Sequence, residues 1–221
     1  MITVHHLEKS RSHRVLWLLE ELELDYELKI YKRNPKTNLA PDELKSVHPL
    51  GKSPIVTVED VALAESGAIF ENLLEQFGEG RLMPEPGSPE ITRYRYWMHA
   101  AEGSLMPVLL LKLIFTKLET APPFVIRPIT KAISNKVHNS YITPTLLGML
   151  KYMESQLSQT NWFAGSEFSA ADIQMSYGVE AVCMRPEVVE GFPKLAQFNE
   201  RVKARKGYQI ALEKGGPSLP V

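Results

Sequence analysis

Phe70, Leu73, Leu74 and Phe77 fall at i, i+3, i+4 and i+7 within "ESGAIFENLLEQFGEG", so this run predicts an amphipathic helix stopped near Gly78. Val15, Leu18, Leu19 and Leu22 share a face in the same way and predict a first helix, fed directly through "EKSRSHR" from the β-rich run "ITVHHL". Two further β-rich runs, "YELKIY" and "PIVTV", lie between the two helices. Pro54 has no N–H to give a ladder, which puts it at the first position of its strand. Residues 1–77 thus alternate short strands with helices, whereas 89–214 hold helix-length segments and little that resembles a strand. The pattern is that of an α/β domain followed by an all-α domain. Glycine, proline and charge cluster in "GEGRLMPEPGSPE", so the expected division is a first domain 1–80, a linker 81–88 and a second domain 89–221. Within the second, Pro107 predicts a kink or break, and "KLETAPPFVIRPITKAISNKVHNSY" (116–140) a helical hairpin interrupted at Ala-Pro-Pro.

Composition narrows the partners. A chain of 221 residues can bury one large core or two small ones. A formal net charge of −1 gives no general basic footprint for nucleic acid. The single cysteine, Cys183, excludes an intramolecular disulfide and a CxxC redox or zinc pair. With no basic-then-apolar leader at the start, a cytoplasmic setting is expected. The apolar run "LMPVLLLKLIF" (105–115) is too short for a bilayer and is interrupted by Lys112, so no membrane partner is expected.

The candidate chemistry gathers at three turns. Ser10 and Ser12 sit between the first strand and the first helix, where an N-cap role worth about 1 kcal/mol competes with a functional one. Ser53, ahead of a proline, is pushed toward extended backbone whose N–H and C=O could pair with an extended peptide. Glu65 and Ser66 open the helix that follows, and its unpaired N–H groups with the Ser66 hydroxyl make a natural carboxylate site. The last two together suit a small peptide carrying carboxylates. His5 and His6 are neighbours on a strand, face opposite sides and cannot share a metal; they read as structural. "SAAD" (169–172) reads as a capping box, which ties Asp172 to folding.

The segments "SRSHRVLWLLEEL", "HPLGKSPIV", "LAESGAIFENL", "WFAGSEFSAADI" and "FPKLAQFNERVKARKGY" stand in an order and spacing that resembles the cytosolic glutathione transferases nearly end to end. Within that family the chain is most similar to the serine-type branch and to its fungal and bacterial theta-like members. No tyrosine closes the first strand, where His6, Leu7 and Glu8 stand, and no cysteine lies in the turn 10–13, unlike the tyrosine-type and thiol-transferase classes. The resemblance implies a thioredoxin-like N-terminal domain, βαβ-α-ββα, ahead of an all-helical one, and a homodimer. It also implies glutathione as co-substrate, with neither metal nor cofactor, and a hydrophobic electrophile as the second substrate.

By residue, the resemblance implies a cis bond before Pro54, with the Ser53 backbone pairing to the cysteinyl part of glutathione. Ser66 and the helix start would take the γ-glutamyl carboxylate, and Glu65 would face the ammonium. Lys52 is a candidate for the glycyl carboxylate or a solvated turn lysine. Ser10, four residues before Arg14 as in serine-type relatives, is the expected thiolate-stabilising donor, with Ser12 as the alternative. Met106 and Leu110 are expected in the electrophile pocket. The implied activity is conjugation of the thiolate to hydrophobic electrophiles, with glutathione-dependent peroxidase as a side activity. The alternative is a non-catalytic binding or regulatory protein on the same fold.

Overall fold

The computed structural model describes residues 1–219. The N-terminal domain runs β1 (Ile2–Leu7), α1 (His13–Glu21), β2 (Glu27–Tyr31), α2 (Glu43–Val47), β3 (Ile55–Val58), β4 (Val61–Ala64) and α3 (Ser66–Phe77). The four strands form one mixed sheet in the order β2-β1-β3-β4. β1 and β2 are parallel, joined by the α1 crossover, while β3 runs antiparallel to both β1 and β4. This is the thioredoxin-like arrangement βαβ-α-ββα, and it answers the sequence expectation.

Helices make up the remainder: α4 (Pro89–Ala100), α5 (Met106–Leu118), α6 (Arg127–Val137), α7 (Thr143–Leu157), α8 (Ala170–Cys183), α9 (Pro186–Gly191), α10 (Pro193–Lys203) and α11 (Lys206–Gly215). One apolar core runs through both domains, from Val4, Leu16 and Phe70 to Trp97, Phe163 and Phe198. The face carrying Val15, Leu18, Leu19 and Leu22 is buried as patterned, and α1 packs on α8 and α11 of the helical domain. Burying each such side chain contributes about 1.5–3 kcal/mol, which makes α1 the element that joins the halves.

Pro107 does not break its helix. A π-helical turn, Ala101–Leu105, joins α4 to α5, and a second, His138–Ile142, joins α6 to α7 ahead of Pro144. A helical proline cannot donate and its ring crowds the carbonyl four residues earlier, here Gly103 and Ser140; both lie inside the π turns, which take up the crowding. The apolar run 105–115 is therefore embedded in a continuous helix, Pro89–Leu118, of 30 residues. By length and composition alone this helix could span a membrane: its best window has mean hydropathy 1.4, with 22% buried, a property invisible in the shorter run read by itself. Tyr94 and Trp97 join the core while Tyr96 stays half exposed. The capping box at α8 is present in full, Asp172 accepting from the backbone N–H of Ser169 and of Phe163.

Candidate active site

The turn between β1 and α1 places Ser10 at the floor of an interdomain cavity of about 1120 Å³. Ser10, Lys52, Ser53, Met106 and Leu110 line it; Ser12, Pro54, Glu65 and Ser66 lie behind or beside that lining. Ser12 occupies the N-cap of α1 but makes no side-chain cap, because its hydroxyl turns inward to His6. The expected competition between capping and function thus goes to neither pure alternative.

The direction of these hydrogen bonds follows from chemistry. His6 Nε2 lies 2.8 Å from the Gly215 carbonyl, which can only accept, so Nε2 carries the proton. Burial lowers the His6 pKa, opposed by that same carbonyl contact and by Glu8, and the neutral ring leaves Nδ1 as an acceptor. Ser12 Oγ, 2.9 Å from Nδ1, must donate to it, which commits its only proton. Toward Ser10 Oγ, 2.8 Å away, Ser12 can then only accept. Ser10 keeps one proton to direct among Leu7 O at 2.7 Å, Ser12 Oγ and Ser53 Oγ at 3.1 Å. Sequence reading treated His6 as merely structural and missed this connection.

The Ser53–Pro54 peptide bond is cis. Among the described residues the backbone N–H and C=O of Ser53 have no hydrogen-bond partner, so an extended ligand backbone has both within reach. Ile55 pairs with Ala64 across β3 and β4; continuing that antiparallel register puts Pro54 opposite Glu65 and Ser53 opposite Ser66. Sheet pairing is therefore what brings the two turns together. Glu65 holds φ at 70°, a left-handed conformation that a residue with a Cβ adopts at a cost. The N–H groups of Ser66, Gly67 and Ala68 open α3 with no backbone partner inside the helix, and a Cβ on Gly67 would meet nothing within 4 Å, so this helix start is open.

Arg14, 1% exposed, sits behind these turns. Its guanidinium donates to Ser66 Oγ at 3.1 Å, to the Gln174 carbonyl and to Glu102, while Arg11 pairs with the other oxygen of Glu102. Burial pushes the Glu102 carboxyl up, but the Arg14 and Arg11 charges outweigh it and hold the group below the ordinary carboxylate range. Glu102 lies in the π turn of the helical domain, so one ion cluster links the domains and positions Ser66. In the sequence Arg14 stands only as a spacing marker for Ser10. A signal was available: an arginine four residues before Leu18, on the buried face of an otherwise apolar helix. Among the described residues no group of three or more His, Cys, Asp or Glu side chains is placed to hold a metal.

A mixed four-stranded sheet with a cis-proline turn opposite an open helix start, set against a helical bundle, defines a thioredoxin-like fold joined to an all-helical domain. The glutathione S-transferase N-terminal domain model matches residues 1–75, and the C-terminal domain model matches residues 125–212. Glutathione S-transferase 3 of Schizosaccharomyces pombe is 34% identical, over 97% of this chain and 88% of its own length. Glutathione S-transferase 1 of Saccharomyces cerevisiae is 31% identical, over 97% and 95% respectively. A crystal structure of a glutathione S-transferase from Actinobacillus pleuropneumoniae superposes with TM-score 0.80 at 32% identity, covering 99% of this chain and 94% of that one. The chain belongs to the glutathione S-transferase family.

Proposed function

We propose that this glutathione S-transferase holds its co-substrate as the thiolate through the Ser10 hydroxyl and delivers it to a hydrophobic electrophile seated against Met106 and Leu110. The observation that carries the assignment is the proton order Ser10 to Ser12 to His6: of the two serines in the first turn, Ser10 lines the cavity and keeps a proton free to turn, while Ser12 is fully buried and its proton is committed. Lowering a thiol pKa from about 8.5 by two units needs roughly 2.7 kcal/mol. A hydrogen bond to a charged group supplies about 1.5–3 kcal/mol and a helix start about 0.3–1 kcal/mol, so Ser10 at the head of α1 suffices. Ser10 acts as a donor to an anion and not as a nucleophile. The thiolate attacks the electrophile, forming the C–S bond; the displaced electron pair leaves with the leaving group, or moves along a conjugated system that is then protonated by water.

In the same reading, the free N–H and C=O of Ser53 pair with the cysteinyl backbone. The open start of α3 with Ser66 takes the γ-glutamyl carboxylate, Glu65 its ammonium, and Lys52 the glycyl carboxylate. Residues 1–80 form the glutathione-binding unit and 89–221 the electrophile-binding unit, joined by 81–88. The serine-type, theta-like assignment, a homodimer, a cytoplasmic setting, a peroxidase side activity and the absence of any further cofactor are carried from the family resemblance.

The test is an ultraviolet difference titration of bound glutathione, following thiolate absorbance against pH. In the unmodified protein the bound thiol ionises well below the free one; Ser10→Ala returns it toward the free value, and Ser12→Ala moves it less. A shift that survives Ser10→Ala and vanishes in Ser12→Ala overturns the assignment of the donor.

A further inference from the structure

The cavity carries more positive charge than glutathione uses. Six cationic side chains line it, Arg11, Arg33, Lys45, Lys52, Lys112 and Arg185, against two carboxylates, Asp42 and Glu102. Arg11 is paired with Glu102 and Lys45 with Asp42, while Arg33 is held by the carbonyls of Glu8, Lys9 and Asn38. Lys52 is the one assigned above to the glycyl carboxylate. That leaves Lys112 on α5 and Arg185 just beyond α8, whose side chains make no hydrogen bond or ion pair among the described residues.

Both stand on the helical wall of the cavity, whose lining also includes Leu109, Leu113, Met184 and Val188. Two cations in an apolar setting repel each other. Burial, and next the Arg185 charge, lower the Lys112 pKa, and only the exposed Glu187 acts in the opposite direction. An anion between the two would relieve that repulsion and would be partly screened from water by the leucines. Lys112 follows Met106 by six residues, about 9 Å of rise along α5, so the cationic end and Met106 are separated along the helix by roughly that length.

We infer that the electrophile side of the cleft is built for an amphiphilic anion: an elongated apolar electrophile whose carboxylate is received by Lys112 and Arg185. The inference rests on the transferase reading above. A fitting substrate is a chain with an α,β-unsaturated aldehyde at one end and a carboxylate at the other, the β-carbon near Ser10. Addition forms the C–S bond at the β-carbon and breaks the C=C π bond. That electron pair moves through the enolate, and the α-carbon takes a proton from water, so nothing is oxidised or reduced and no group leaves.

The test compares 10-oxodec-8-enoate with its methyl ester, whose reacting ends are identical, each at saturating glutathione. For the unmodified protein, kcat/KM for the acid exceeds that for the ester by about tenfold, the size expected of charged hydrogen bonds at a partly buried site, and the ratio shrinks as salt is raised. In Lys112→Gln/Arg185→Gln the acid falls to the level of the ester, the ester stays within about twofold, and the KM for glutathione is unchanged. An ester turned over as well as the acid by the unmodified protein, a comparison that needs no variant, overturns the inference and leaves the transferase reading standing. So does a double variant that lowers both equally. Turnover of neither substrate, with 1-chloro-2,4-dinitrobenzene also refused, overturns both.

Discussion

The two walls of the cleft are built on opposite principles. On the sheet side Ser10, Ser12, His6, Arg14 and Ser66 are all buried, and each side chain has at least one named hydrogen-bond partner. On the helical side Met106 is half buried, and Leu110 and Leu113 are more than half exposed, held by apolar contact alone. Directional bonds suit a ligand that never changes, because a misplaced buried polar group costs about 1–3 kcal/mol. Apolar contact is non-directional and tolerates varied shapes. On the proposed reading, the wall that meets glutathione is therefore specific, and the wall that meets the electrophile is permissive except at the proposed cationic end.

The sharpest break of this contrast is Arg14→Leu. Removing one member of a buried cluster leaves Glu102 with Arg11 alone and takes the Arg14 donor away from Ser66 and the Gln174 carbonyl, so unfolding stability falls by about 3 kcal/mol, the low end for a broken buried pair, read by denaturant titration. Adding Glu102→Leu restores part of that stability without restoring glutathione affinity, since Ser66 is still without its donor. Full recovery of binding in the double variant would show that Arg14 does nothing for the site.

Acid titration separates the two halves next, because each buries one group of opposite sign. Burial, then His6 and Arg14, push His13 from 6.5 down to about 4, so its contribution is full above pH 6.5 and drains as pH falls to 4. Burial raises Asp172 from 3.8 to about 6, so its contribution is present below pH 3.8 and is lost as pH climbs to 6. Each is worth about 3 kcal/mol over its window, and between pH 4 and 6 they nearly cancel. Relative to the unmodified protein, His13→Gln thus gains stability on acidification from pH 7 to 4, whereas Asp172→Asn loses it. Parallel slopes in urea unfolding at the two pH values would contradict the pairing.

Gly215→Ala is a smaller perturbation with a readout in the site. A Cβ there would stand 2.6 Å from Leu16 Cδ1 and 3.0 Å from His6 Cε1, so the imidazole must move and its hold on Ser12 loosens. Overpacking of this kind costs about 1–3 kcal/mol. The bound thiol pKa rises by less than in Ser10→Ala, because Ser10 loses only the neighbour that orders its proton.

How far these walls could be read from the sequence follows from the same difference. The helix faces at 15–22 and 70–77, the strand that opens at Pro54 and the serines of the first turn were legible, since each is a local pattern with a local cause. That Ser53 and Ser66 suit one ligand was legible from their two turns, but what sets them opposite each other is the register Ile55 to Ala64, which no local pattern states. His6 reaching the carbonyl of Gly215, and Arg14 reaching Gln174 and Glu102, are contacts between distant parts of the chain that no local spacing encodes. The π turns could have been anticipated from Pro107 and Pro144, had the continuing apolar pattern on either side been weighed against the proline.

The smallest expected effect falls on the permissive wall and tests whether it is one. Leu110 is 54% exposed, so Leu110→Ala removes little buried area and shifts unfolding stability by less than about 0.5 kcal/mol. Its side chain nevertheless lines the cavity beside Met106, where a bound electrophile would cover it. At about 0.8 kcal/mol per methylene taken from water, the loss should raise KM for a long-chain electrophile several-fold and change it little for a small aromatic one. The KM for glutathione is expected to stay fixed, because Leu110 stands on α5 of the helical domain and takes no part in the hydrogen-bond network of the first turn. A parallel rise in KM for both co-substrates would mean that the two walls are coupled, and that the directional network of the first domain also orders the second.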